Sequence, residues 1–262
     1  MSLLVATRKK LNIHVVGAGG TGGYAVTCLA RMLAGGGHVI HVYDGDRVEA
    51  KNLKRQNFTA SELDQNKATA ICRRVEKDII HAPEMVAHEK FIGSRDEFLC
   101  DIVASLEDDQ SLVIVMAVDN VATRKMVNEV IMDDLVKARI LTVAIDSGNS
   151  DQGGQVVLYA NALSAWKEPL KERIVGMLPT MLQVYPELND VDDENPADHM
   201  DCAENAESAP QAMICNVRNG ELIAHIITRI LETRAAPGNI WRSDILTGST
   251  SCSFTGFLEG NA

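Results

Sequence analysis

The chain has 262 residues, 46% of them apolar and only 4% aromatic, so it is long enough for one large domain with a core of aliphatic side chains. A net charge of −11 excludes a general nucleic-acid binder, because no basic excess is present to neutralise phosphates. The acidity is local: residues 187 to 207 hold nine acids and no Lys or Arg, which leaves 27 acids against 25 bases elsewhere.

In chain order, Asn12–Val16 reads as a short apolar strand that runs into Gly17-Ala18-Gly19-Gly20-Thr21-Gly22-Gly23. A helix follows, with Ala25, Leu29 and Leu33 on one face, and Gly35-Gly36-Gly37 stops it. Val39–Tyr43 is the second strand. Ala68, Ile71, Cys72, Val75 and Ile79 give helical spacing across 67–80, and a further helical segment lies near 95–106. Met85–Ile92, Leu112–Val118 and Ile140–Ile145 read as strands, and Asn120–Lys137 as a helix. Apolar strands alternating with helices imply an α/β fold, a mostly parallel sheet with helices on both faces.

The pattern changes after Asp146. Gln155–Tyr159 reads as an antiparallel strand after the Gly153-Gly154 turn, and Leu163–Met177 as an amphipathic piece before the acidic stretch. Pro210–Thr233 is expected to be a helix with Met213, Val217, Leu222, Ile226 and Ile230 as its apolar stripe. Trp241–Leu246 and Ser251–Phe257 then form a hairpin around Gly248. The expected organisation is a nucleotide-binding part over 1–160, a crossover insertion with an acidic loop over 161–209, and a helix and hairpin over 210–262 completing the same domain. Six scattered cysteines without a Cys-x-x-Cys pair suit reduced thiols, with no closed zinc site. With no leader-like start and no membrane-length apolar run, a cytoplasmic protein is expected.

Gly17, Gly19 and Gly22 give the G-x-G-x-x-G spacing between a strand and a helix, where backbone amides can approach a phosphate. Asp44 lies 22 residues past Gly22 at the end of the second strand, placed to hold ribose hydroxyls. This much leaves NAD and ATP equally open. Asn52, Arg55 and Gln56 add polar and cationic groups close by: Arg55 offers a planar fork for phosphate oxygens and Lys67 a compact charge. Asp119 ends an apolar strand, where a carboxylate can hold Mg²⁺ alongside phosphate oxygens or cap the helix that follows.

These residues together resemble the ThiF/MoeB-like adenylating enzymes, whose fold is shared by ubiquitin-activating enzymes. The matching positions are Gly17, Gly19, Gly20 and Gly22; Asp44, Asp46 and Val48; Asn52, Leu53, Arg55, Gln56 and Phe58; Lys67; and Asp119-Asn120. The resemblance covers roughly residues 12 to 160 and implies a Rossmann-like fold that binds ATP and Mg²⁺. It implies that Asp44 holds the ribose, that Asn52, Arg55 and Lys67 contact the triphosphate, and that Asp119 binds magnesium. It further implies attack on the α-phosphate by the C-terminal carboxylate of a small ubiquitin-like or sulfur-carrier protein, within a homodimer. The C-terminal part, with Ala209-Pro210-Gln211 and Asn216, is most similar to the ThiF-related proteins of PRTRC-type plasmid and phage cassettes.

The departures are specific. The family's two Cys-x-x-Cys pairs are missing, Asp64 stands where a glycine usually lies before the lysine, and Met116 replaces an additional acid. Arg8 is the candidate for an arginine reaching into a partner's site. Cys202 is the candidate for the family's thioester cysteine, although its acidic neighbours Asp201 and Glu204 would raise the thiol pKa. Two alternative functions remain: an NAD(P)-dependent oxidoreductase, for which Asn52–Gln56 has no task, and a non-catalytic module binding a nucleotide or a ubiquitin-like protein.

Overall fold

A computed structural model describes residues 3–149, 153–161, 163–167, 172–191 and 209–258. A three-residue strand, Leu3–Val5 (β1), precedes the central strand Lys10–Val16 (β2), whose residues from Leu11 onward are all buried. The chain continues through helix α1 (Gly20–Met32), β3 (Val39–Tyr43), helix α2 (Lys67–Asp78) and β4 (Glu84–His88). Helix α3 (Arg95–Ser105), β5 (Gln110–Met116), helix α4 (Val121–Glu129), β6 (Thr142–Asn149) and β7 (Gly153–Ala160) follow.

Strands β2 to β7 and two from the tail, β11 (Ile240–Asp244) and β12 (Thr250–Ser253), form an eight-stranded sheet of order β12-β11-β7-β6-β5-β2-β3-β4. The five strands from β6 to β4 run parallel, and β7, β11 and β12 extend the sheet antiparallel. β5 is buried along all seven residues, as a central strand covered on both faces must be. Ile13, Val15, Ile40 and Val42 pack beneath α1, α2 and α6 (Ala209–Thr233), while Leu112, Ile114 and Tyr43 pack beneath α3 and α4. The α/β architecture read from the alternating pattern is therefore the one observed, including the antiparallel C-terminal hairpin.

Several details differ. The expected strand Met85–Ile92 ends at His88. The expected helix Asn120–Lys137 is α-helical only to Glu129 and continues as a π-helical turn, Val130–Leu135. On α6 the expected stripe holds toward the C-terminal end, where Ile226 and Ile230 are buried and Leu222 packs against the core, while Met213 stays 40% exposed and Cys215, Ile223 and Ile227 join the buried face. Leu163–Met177 holds two strands, β8 (Leu163–Lys167) and β9 (Glu172–Gly176). With β1 and β10 (Ala235–Ala236) they make a second sheet of order β10-β1-β8-β9. A short helix, α5 (Met181–Val184), leads into a 3₁₀ turn at Pro186–Asp190.

Candidate nucleotide site

The sheet reverses its winding between β2 and β5, and the carboxyl ends of these strands open a crevice. Gly17 starts the turn there with φ +92°, and a Cβ on it would lie 2.6 Å from the Ala117 carbonyl oxygen. A side chain has no place at that close approach. The Gly17 N–H donates to the Tyr43 carbonyl at 2.9 Å, tying the turn to the end of β3. Gly19 is the N-cap of α1, with no side chain capping it and no acid in the first turn. The leading amides of α1 thus have the arrangement that accepts a phosphate. Gly20 and Gly22 lie in that first turn, where a Cβ on Gly20 would run into the side-chain amide of Asn216.

Asp44 is buried beside this turn. Its Oδ2 accepts the Ala18 N–H at 2.8 Å and its Oδ1 the Asp46 N–H at 2.9 Å. Burial pushes the Asp44 carboxyl above the usual carboxylate range, opposed by the charge of Lys67 and by those two amides. Lys67 Nζ pairs with Asp46 Oδ2 at 2.7 Å. Asn66 fixes both partners: its side chain caps α2 by accepting the Thr69 N–H, and donates to the carbonyls of Asp44 and Asp46. Sequence reading missed Asn66, although an Asn directly before a helix is a cap signal.

Asn52 is buried in a 3₁₀ turn, Ala50–Lys54, where its Oδ1 accepts the Glu49 N–H at 2.8 Å. Arg55 follows at the end of that turn, and its carbonyl accepts the Asn216 Nδ2–H at 3.2 Å. Gln56 Nε2 lies 3.8 Å from the place of a Cβ on Gly19, and its Oε1 is buried without a hydrogen-bond partner among the described residues. Lys51 and Lys54 are exposed.

Asp119 is exposed beyond the end of β5. It does not cap α4: Asn120 does, its Oδ1 accepting the Thr123 N–H at 2.8 Å. The segment is held from below by Arg124, whose Nη2 donates to the carbonyls of Val118 at 2.5 Å and Ser147 at 2.9 Å. Arg124 Nη1 also pairs with the buried carboxylate of Asp146. Burial pushes the guanidinium down to about 10, with the Asp119 charge opposing. Met116, at the position of the family's additional acid, is buried in register with Asp146.

A polar cluster joins α6 to the glycine turn. Asn149 Nδ2 donates to Thr21 Oγ1 at 2.8 Å and to Asn216 Oδ1 at 2.6 Å, and Asn219 Nδ2 donates to Asn149 Oδ1 at 2.5 Å. Sequence reading missed Asn149, Asn219, Arg124 and Asp146, whose partners are distant in the chain. Asp64 adopts φ +62°, the left-handed conformation glycine favours and Asp tolerates, so this departure preserves the turn. Arg8 is exposed at the amino end of β2, the opposite edge from the crevice. Cys202 and the acidic stretch beyond Val191 lie outside the described residues. Among the described residues, no group of three or more His, Cys, Asp or Glu side chains could hold a metal ion, and no helix is long and apolar enough to cross a membrane.

A parallel sheet with a glycine turn at its reversal point and an acid at the end of the next strand defines a Rossmann-like fold of the nucleotide-binding class. The chain belongs to the ThiF family, whose sequence model matches residues 6–249. Its structure is similar to E. coli MccB solved with ATP, with a TM-score of 0.62 and 17% identity over 95% of this chain and 65% of MccB. It is also similar to MccB in complex with N-formylated MccA (TM-score 0.58, 19% identity, 96% of this chain and 66% of that one). PaaA matches at TM-score 0.55 and 16% identity, over 93% of this chain and 63% of PaaA. The chain thus spans about two thirds of the length of these neighbours. No curated protein matches it by sequence.

Proposed function

We propose that the chain is an ATP-dependent adenylyltransferase that joins the C-terminal carboxylate of a peptide or small protein to AMP, with release of pyrophosphate. The observation that supports this most is the Lys67 ammonium held by Asp46 near Asp44, with the Arg55 backbone tied to Asn216, which meets the glycine turn at Gly20. A dinucleotide oxidoreductase would need the turn and Asp44 but has no task for Asn52, Arg55, Gln56 and Lys67. The leading amides of α1, without a side-chain cap, fit a phosphate, and Asp44 fits a ribose.

In this reading the substrate carboxylate attacks the α-phosphorus, the bond to the bridging oxygen breaks, and pyrophosphate leaves with its electron pair. Arg55 and Lys67 stabilise the charge gathering on the phosphate oxygens. Asp119, exposed and free of a capping role, would hold Mg²⁺ with the phosphates, and the ion would supply further charge neutralisation. MccB, which shares the fold, has been solved with ATP and with the peptide MccA, which supports a peptide-like carboxylate donor. The finer reading is a small ubiquitin-like or sulfur-carrier protein as donor and a homodimeric enzyme.

Melting curves with Mg-ATP and with NAD⁺, on the parent and on Arg55→Ala, test the proposal. Ligand at a hundred times its dissociation constant adds about 2.7 kcal/mol, a readily seen shift. Stabilisation by Mg-ATP that Arg55→Ala loses, together with ATP–pyrophosphate exchange driven by an added carboxylate donor, is the expected result. Stabilisation by NAD⁺ alone overturns it.

A further inference from the structure

Phe91 is a large aromatic side chain left 65% exposed at the rim of the crevice. Its neighbours are anchored while its own ring is not enclosed. Ile92 is buried against the α3 layer, Lys90 pairs with Glu97 at 2.7 Å and Asp101 at 3.0 Å, and the Gly93 N–H donates to Glu97 Oε2 at 3.1 Å. The loop therefore presents Phe91 at a fixed place. That place is set by the Asp44 N–H, which donates to the His88 carbonyl at 3.2 Å and makes residues 89–91 run beside Asp44–Asp46.

The ring rests on Gly45. A Cβ on Gly45 would stand 2.6 Å from both Cδ2 and Cε2 of Phe91, so only the absence of a side chain between Asp44 and Asp46 lets the ring lie there. Asp44 points the other way, both of its oxygens being bound by the amides of Ala18 and Asp46. In the nucleotide reading, phosphates at the start of α1 and a ribose at Asp44 would direct the base away from the glycine turn, past Gly45 and toward the β4 loop. The outer face of the Phe91 ring borders that path.

We infer that Phe91 is a specificity-determining residue, its ring stacking on the purine base of the bound nucleotide. The inference rests on the nucleotide reading proposed above and deepens it. Stacking favours bases with the larger π surface, so Phe91 gives ATP an advantage over CTP that phosphate contacts cannot give. An exposed ring reserved for docking a protein partner would leave nucleotide affinity untouched.

Two variants of the full chain test this, Phe91→Ala and Phe91→Trp, with ATP and CTP titrated calorimetrically and by fluorescence. Phe91→Ala is expected to weaken ATP binding about tenfold or more, at an unchanged melting temperature without ligand, and to shrink the ATP-over-CTP preference. Phe91→Trp is expected to keep ATP affinity and to have its indole emission quenched on ATP addition, a signal that a purely structural residue would not give. ATP affinity of Phe91→Ala within about twofold of the parent, with Arg55→Ala still defective, overturns the stacking role and leaves the nucleotide reading standing. A parent chain that binds no ATP overturns both.

Discussion

Lys67 Nζ and Asp46 Oδ2 are 2.7 Å apart, yet the two side chains differ sharply in exposure, 9% for the lysine and 54% for the aspartate. The ammonium thus reaches the edge of the crevice on a buried stem, steadied by an acid that water or a phosphate can replace. The pair is open to water at its aspartate end only, where an Asn would still offer the ammonium an acceptor oxygen. Its value lies in preorganisation, since the cation is in place before any phosphate arrives.

The expected outcome is that Asp46→Asn leaves the melting temperature nearly unchanged, while Lys67→Ala lowers the rate of ATP–pyrophosphate exchange about a hundredfold, the loss typical of one charge-stabilising donor. Exchange at the parental rate in Lys67→Ala would show that the lysine only packs.

Arg124 and Asp146 present the opposite case, a pair buried at both ends. Removing the guanidinium strands the Asp146 carboxylate and frees the carbonyls of Val118 and Ser147. Arg124→Met is therefore expected to cost about 3 to 5 kcal/mol in urea unfolding. Arg124→Met with Asp146→Leu should recover much of it, because no uncompensated charge remains. Equal instability of the single and double variants would place the loss in packing instead.

Why the sequence disclosed some of this and hid the rest follows from where each contact originates. β2, β3 and β5 were legible because each is a short, mainly apolar run, a local pattern. Gly17, Asp44, Arg55, Lys67 and Asp119 were singled out by residue type and spacing together with the family resemblance, and their shared role in nucleotide binding stands as the proposal above. β1 was not: its three residues are strand only because Leu4 pairs with Ser164 and Leu3 with Ala236. Arg124 read as an ordinary helical position because its partners, Asp146 and Ser147, arrive from the next strand. Asn219 was hidden for the same reason, since its amide meets Asn149 across 70 residues. The buried face of α6 was legible only in part, because that helix also carries polar side chains there, and Asn219 is fully enclosed.

Gly20 and Asn216 make a second paired test. A methyl on Gly20 collides with the Asn216 amide, which also bonds Asn149 and the Arg55 carbonyl. Gly20→Ala is expected to cost about 1 to 3 kcal/mol through overpacking. Adding Asn216→Ala should restore stability measured by urea titration, without restoring ATP affinity, because the loop then lacks its brace. Additive losses in the double variant would contradict the contact.

A ladder of rings lies directly beneath Asp44 and links stability to pH. His14 stacks on His41 with centroids 4.5 Å apart, and Tyr43 on His88 at 4.0 Å. His14 Nδ1 meets the Tyr43 hydroxyl at 2.9 Å, and His41 Nδ1 meets His88 Nε2 at 3.0 Å. From α3, Phe98 and Ser105 close over His14, while Asp101, Glu97 and Lys90 supply the nearby charges. Burial, with the other imidazoles adding to it, pushes His14 well below its ordinary value and His41 down to about 4, and His88 is also lowered. The folded ladder is therefore neutral, whereas the unfolded chain protonates these rings near pH 6.5. The unfolded state binds more protons between those values, so stability is full above about pH 6.5 and falls as the pH drops toward 4, by up to about 1.4 kcal/mol per pH unit for each imidazole. Urea midpoints should decline from pH 7 to pH 5, and the decline should be shallower in His41→Gln, which removes one titrating ring. Parallel pH profiles for the parent and His41→Gln would mean that His41 is not part of the acid response.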